Sequence, residues 1–119
     1  MAEFLKASVN TDFDPIRKSP TRTDTLSFDM RTELVRKSPA YGNIVCRCRK
    51  ISEGEIIDAV HSGAKSLDAV KRRTEATSGR CQGSFCTERI MEIIARELGI
   101  PVSDVLKDNI GSKVLEGLL

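Results

Sequence analysis

Polar and apolar positions divide this chain into a first third without periodicity and a remainder with helical spacing. From Asp12 to Thr25, charges alternate with Pro15, Pro20 and scattered Thr and Ser, and no apolar face builds up. Ser27 then offers an N-cap for a short helix over Phe28 to Lys37, with Met30 and Leu34 on one face, and Ser38-Pro39 and Gly42 end it. Residues 1–42 read as an extended linker or the tail of a preceding domain, residues 43–108 as the compact part and 109–119 as a C-terminal tail. Gly42 to Val45 approach Cys46 as an extended segment, with β-branched Ile44 and Val45 ahead of the cysteine.

Ser52-Glu53-Gly54-Glu55 is a capping box, in which the serine caps the helix and the glutamate three residues on reaches back. It predicts a helix through His61 that buries Ile56, Ile57 and Val60, and Gly63 suits the left-handed residue that stops it. Ser66 starts a second short helix carrying Leu67, Val70 and the Lys71-Arg72-Arg73 run. Thr74 to Gly83 has no apolar period and reads as a loop. A longer helix is expected from about Ser84 to Leu98, where Ile90, Ile94 and Leu98 recur at every fourth position; Gly99 and Pro101 end it. Ser103 is expected to cap a last helix through Lys107. The predicted fold is all-α: a small bundle of about four short helices with cysteine-bearing loops, preceded by a linker.

Composition limits how such a bundle can hold together. Among 119 residues there are four Phe, one Tyr and no Trp, which leaves little bulk for a large core. Domains this small often need a metal or disulfides as a further constraint. The formal net charge of +2 gives no global basic field, so a nucleic-acid partner is not expected. Lys71-Arg72-Arg73 reads as a solvated helix end, with no aromatics nearby to stack bases. No 18-residue apolar run exists for a membrane span, and MAEFLKASVN lacks the apolar core of a secretory signal. These features point to the cytoplasm, where thiols stay reduced.

Reduced thiols give the four cysteines their interest. Cys46 and Cys48 form a C-x-C pair, and after 32 intervening residues Cys81 and Cys86 form a C-x4-C pair. Two close pairs can converge on one centre if the segment between them folds back. Both are expected just ahead of helix N-termini, where peptide dipoles and unpaired N–H groups stabilise anionic sulfur. Gly79 and Gly83 flank Cys81 and let backbone N–H groups approach it. From Cys46 to Cys81, eight Lys and Arg stand against five Asp and Glu, a balance that favours an added electron on a nearby cluster. Spacing alone leaves an iron–sulfur centre, a zinc site, and thiols or disulfides without metal all open. Zinc commonly takes two C-x2-C knuckles, and neither pair has that spacing. His61, the single histidine, reads as a surface residue near a helix end.

Four runs together resemble the BFD-like 2Fe-2S domain: Val45-Cys46-Arg47-Cys48, Ser52-Glu53-Gly54-Glu55-Ile56, Lys71-Arg72-Arg73-Thr74, and Gly79-Arg80-Cys81-Gln82-Gly83-Ser84-Phe85-Cys86. That family includes bacterioferritin-associated ferredoxin and the central domain of nitrogen-fixation cluster scaffolds. The C-Q-G-x-F-C form of the second pair is similar to the version at the C-terminus of FAD-dependent oxidoreductases of the anaerobic glycerol-3-phosphate dehydrogenase type, whereas the simpler ferredoxin form uses C-x2-C. The resemblance covers roughly residues 41–107, and the lead-in also looks like the segment that joins such a domain to its flavin domain. It implies a 2Fe-2S cluster on Cys46, Cys48, Cys81 and Cys86, with FAD in an upstream flavin domain of the same polypeptide as partner. It implies electron transfer rather than catalysis, since the chain has no G-x-G-x-x-G turn and no evident catalytic base. A structural zinc-binding helical module, or a stand-alone ferredoxin-like docking protein, are the alternatives.

Overall fold

The computed structural model describes residues 21–108 and 110–115. Readings for residues 1–20, 109 and 116–119 lie outside the described residues. The regular elements are α1 (Phe28–Lys37), β1 (Ile44–Cys46), β2 (Ile51–Ser52), α2 (Glu53–His61), α3 (Leu67–Thr74) and α4 (Thr87–Leu98). Short 3-10 turns cover Thr23–Thr25, Pro39–Gly42 and Val102–Asp104.

Helices dominate, but the domain is not all-α. β1 and β2 pair antiparallel, Ile44 opposite Ser52 and Cys46 opposite Ile51, with an irregularity between the two pairs. The C-x-C motif thus sits at a hairpin rather than in a loop before a helix. Lys50 takes a left-handed φ of 56°, which reverses the chain, and Ile51 turns wholly into the core. Strands of three and two residues are too short to show alternation, so the pattern of the sequence could not reveal them.

The capping box forms in full. Ser52 Oγ accepts from the Glu55 N–H at 3.3 Å, and Glu55 Oε2 accepts from the Ser52 N–H at 2.7 Å. Ile56 and Val60 of α2 are buried as expected, while Ile57 is half-buried. Ser66 Oγ caps α3 through the Ala69 N–H at 3.2 Å. On α4, Ile90, Met91, Ile93 and Ile94 are buried against α2, and Val70 and Val105 close the core from the sides. Each such side chain contributes roughly 1.5–3 kcal/mol of burial. Gly63 and Gly99 take the left-handed φ predicted for them, 108° and 66°.

Two boundaries differ from expectation. α4 starts at Thr87, because left-handed Gln82 and Gly83 and the turn bond from the Ser84 N–H to the Cys81 carbonyl keep residues 82–86 out of the helix. The last expected helix is replaced by a single 3-10 turn, after which Leu106 bridges Ser66 on one side and Lys113 on the other. Wholly buried Val105 anchors that segment.

Part of the lead-in packs on α2. The Thr23 N–H and hydroxyl donate to the two oxygens of buried Glu55 at 3.1 and 3.0 Å. Tyr41 lays its ring over Gly54, where a Cβ would come within 2.6 Å of it, and its hydroxyl donates to Asp58. α1 follows its Ser27 cap but buries no residue; Met30 is 57% exposed.

Candidate metal centre

β1, the hairpin turn and the loop before α4 bring the four cysteines together. Cys46 ends β1 and is fully buried; Cys48 lies exposed in the turn. Cys81 is half-buried in the loop, and Cys86 is the buried N-cap residue of α4. All four are free thiols. Cys48 lies beside Cys81 and Cys46 beside Cys86, and Cys81 also acts on Cys86. Among the described residues, no three His, Cys, Asp or Glu side chains converge as the ligands of one ion would.

The two pairs differ in their electrostatics. The Cys81 thiol is lowered below its ordinary pKa, first by Cys48 and then by backbone N–H groups of Gly83, Phe85 and Ser84 directed at its sulfur. Burial pushes Cys86 up to about 11, neighbouring Cys46 adds to the rise, and the Thr77 N–H opposes it. At Cys86, burial therefore outweighs the helix start. Of the two pairs, only the second adjoins a helix N-terminus; α2 begins at Glu53, beyond the hairpin.

Backbone geometry supplies the cradle. A Cβ on Gly79 would stand 2.3 Å from the Cys48 Cβ and 3.5 Å from its Sγ, so a side chain there would displace the thiol. A Cβ on Gly83 would meet Thr87 Oγ1 at 2.6 Å, at a φ of 85° that disfavours L residues anyway. Lys50, Glu75, Thr77 and Gln82 are the described non-glycine residues with left-handed φ, and all four border the cysteine segments. Strain of this kind, roughly 1–3 kcal/mol per residue, gathers at functional sites. Donor set, N–H groups and glycine contact all suit a centre bound through anionic sulfur.

Glu53 fixes the hairpin to the helices. Its carboxylate accepts from Arg96 at 2.8 Å and from Asn43 Nδ2 at 2.6 Å, and Arg89 lies 3.6 Å away. The Arg96 hydrogen bond holds the Glu53 carboxyl below its usual pKa against the opposing effect of burial. The backbone N–H of Glu53 also donates to the Asn43 carbonyl at 2.8 Å, immediately before β1. Sequence reasoning missed Glu53, Arg96, Asn43 and Thr77. No local pattern marks Thr77, whereas Glu53 could have been found as an acid in the first turn of a helix. His61 is exposed and bonded to Glu97 at 2.9 Å, and Arg72 pairs with Asp108 at 3.1 Å, as surface roles require.

Four gathered thiols in a small, mostly helical domain are a donor set that iron–sulfur clusters and zinc both take, and the family decides between the two classes. Residues 44–96 match the model of the BFD-like [2Fe-2S] binding domain and belong to that family. A glycerol 3-phosphate dehydrogenase of Caloramator mitchellensis is 46% identical over 114 residues, 94% of this chain and 24% of that protein. The anaerobic glycerol-3-phosphate dehydrogenase subunit A1 of Haloferax volcanii is 33% identical over 67 residues, 56% of this chain and 11% of that protein. The nitrite reductase [NAD(P)H] large subunit of Klebsiella oxytoca is 39% identical over 62 residues, 51% of this chain and 6% of that protein. The chain thus spans a quarter or less of the length of these relatives. No solved structure matches it. No helix among the described residues is long and apolar enough to cross a membrane.

Proposed function

We propose that Cys46, Cys48, Cys81 and Cys86 hold a 2Fe-2S cluster that serves electron transfer within a larger, cytoplasmic, FAD-dependent dehydrogenase acting on glycerol 3-phosphate or a similar substrate. The observation that carries the reading is the gathering of the four thiols of a C-x-C and a C-x4-C pair at one place, in a chain whose residues 44–96 match the BFD-like [2Fe-2S] binding domain. A structural zinc would draw on the same four thiols, and the match to a [2Fe-2S] family favours iron over it.

When bound, the cluster accepts and passes on single electrons. The chain's own residues supply the rest. Backbone N–H groups of Gly83, Ser84 and Phe85 stabilise charge on Cys81, and buried Cys46 and Cys86 keep water from one side of the centre. A metal cation held there would favour the Cys86 thiolate despite the burial that raises its pKa. Residues 43–108 act as the cluster domain, with flavin and substrate chemistry assigned to an upstream part of the same polypeptide. Similarity to the Caloramator protein over 114 residues, lead-in included, supports fusion over a stand-alone docking protein.

Metal analysis of anaerobically purified chain tests the reading. Two irons and two labile sulfides per chain are expected, with visible absorption bleached by dithionite. One zinc per chain and no colour would overturn it.

A further inference from the structure

Arg89 is the third residue of α4, where a cation opposes the helix dipole. The partners it has do not explain its place there. Its ion pair with Glu92 at 3.1 Å joins two half-exposed side chains one turn apart, an arrangement worth little. Buried Glu53 is satisfied without it, by Arg96 at 2.8 Å and Asn43 at 2.6 Å, and Arg89 stands off at 3.6 Å. The thiols supply a better reason. Arg89 lines an open bay of about 550 Å³ together with Cys48, Cys81 and Cys86. Cys86, the N-cap, precedes it by three residues in right-handed helical backbone, which puts their Cβ atoms about 5–6 Å apart. Two carboxylates, Glu53 and Glu92, hold the guanidinium, so its charge is fixed at the bay wall. Arg47, the other cation lining the bay, has no ion pair among the described residues.

We propose that Arg89 is a tuning residue for the cluster, and that its charge at the bay wall favours the reduced state. The inference rests on the cluster reading above and concerns a residue outside the ligand set. Reduction brings one electron and no proton, so the centre and its thiolates become more negative by one charge. A fixed cation nearby stabilises that state more than the oxidised one. Arg89 thus does electrostatic work on the centre without touching the irons, and Glu53 acts as its positioning residue.

The 119-residue chain, loaded with iron and sulfide, would be titrated spectroelectrochemically, with its unfolding by denaturant followed in parallel. Arg89→Gln is expected to lower the reduced-to-oxidised ratio at a fixed potential about 10-fold, a fall of about 59 mV for a one-electron couple, with iron content unchanged. Arg89→Lys, which keeps the charge, should restore most of that loss. Glu92→Gln removes a carboxylate that opposes Arg89 and should shift the ratio several-fold in the other direction. Arg72→Gln makes the same charge change on a residue that does not line the bay, and should leave the ratio within about 2-fold. An Arg89→Gln variant that loses stability but keeps its potential would overturn the proposal and leave Arg89 a structural ion pair. Equal shifts from Arg89→Gln and Arg72→Gln would overturn it too, since net charge alone would then account for both. Should Arg89→Gln fail to hold iron, an unmoved ratio in Glu92→Gln overturns it. An unaltered chain that takes up no iron overturns the cluster reading instead.

Discussion

Between α2 and α4 the side chains that matter are apolar and inaccessible, and the backbone follows ordinary helical geometry: Ile56, Ile90, Ile93 and Ile94 are all at or near zero exposure. In the two cysteine segments the side chains are small, charged or exposed, and the backbone does the shaping, through left-handed Lys50, Thr77, Gln82 and Gly83. The first region is stable because every local preference agrees with the packing. The second tolerates strain that the first holds in place. A binding centre of this kind is therefore a property of the loops, and its persistence a property of the helices.

Substitutions separate the two contributions. The largest effect is expected from Cys81→Ser, which should abolish the two-iron centre and lower the melting temperature of the loaded chain to that of the iron-free chain, because metal binding and folding are coupled. Unchanged iron content and melting would remove Cys81 from the ligand set. Next, Ile90→Ala should cost about 3 kcal/mol in denaturant unfolding whether or not iron is present, since the lost contact lies in the helical core. If that cost appears only with iron bound, the scaffold does not stand apart from the centre.

Gly79→Ala should cost about 2 kcal/mol and reduce iron occupancy, because the new methyl group would collide with Cys48. Iron content measured beside stability checks both parts. The smallest effect concerns Glu53, whose folded pKa is lowered by Arg96. A depressed carboxylate contributes stability above its unfolded pKa and loses it as pH falls through the folded value. With Arg96 half-exposed, that contribution is on the order of 1 kcal/mol after screening. The stability gap between the unaltered chain and Glu53→Gln should thus be present at neutral pH and close as pH falls below about 4. A gap that stays constant down to pH 3 would assign it to packing.

Legibility in the sequence followed the same divide. The caps at Ser27, Ser52 and Ser66, the stop glycines Gly63 and Gly99 and the isoleucine stripe of α4 were readable because each is encoded within one turn of helix, whereas the cap expected at Ser103 did not form. So were the four cysteines as a group. The hairpin at Cys46 and the late start of α4 were not, because both depend on left-handed residues at Lys50 and Gln82, neither of which is a glycine. The Glu53–Arg96 bond joins residues 43 positions apart, and no local pattern encodes such a contact.

The anchorage of Thr23 on Glu55 bears on where the first cysteine pair sits. Two hydrogen bonds join Thr23 to the first turn of α2, whose apolar face is part of the core. Between Thr23 and Asn43 the chain runs through α1 and is pinned a second time where Tyr41 rests on Gly54. The lead-in therefore reaches β1 already fixed at two points to the helix that follows the hairpin, so the position of Cys46 is set from both sides along the chain.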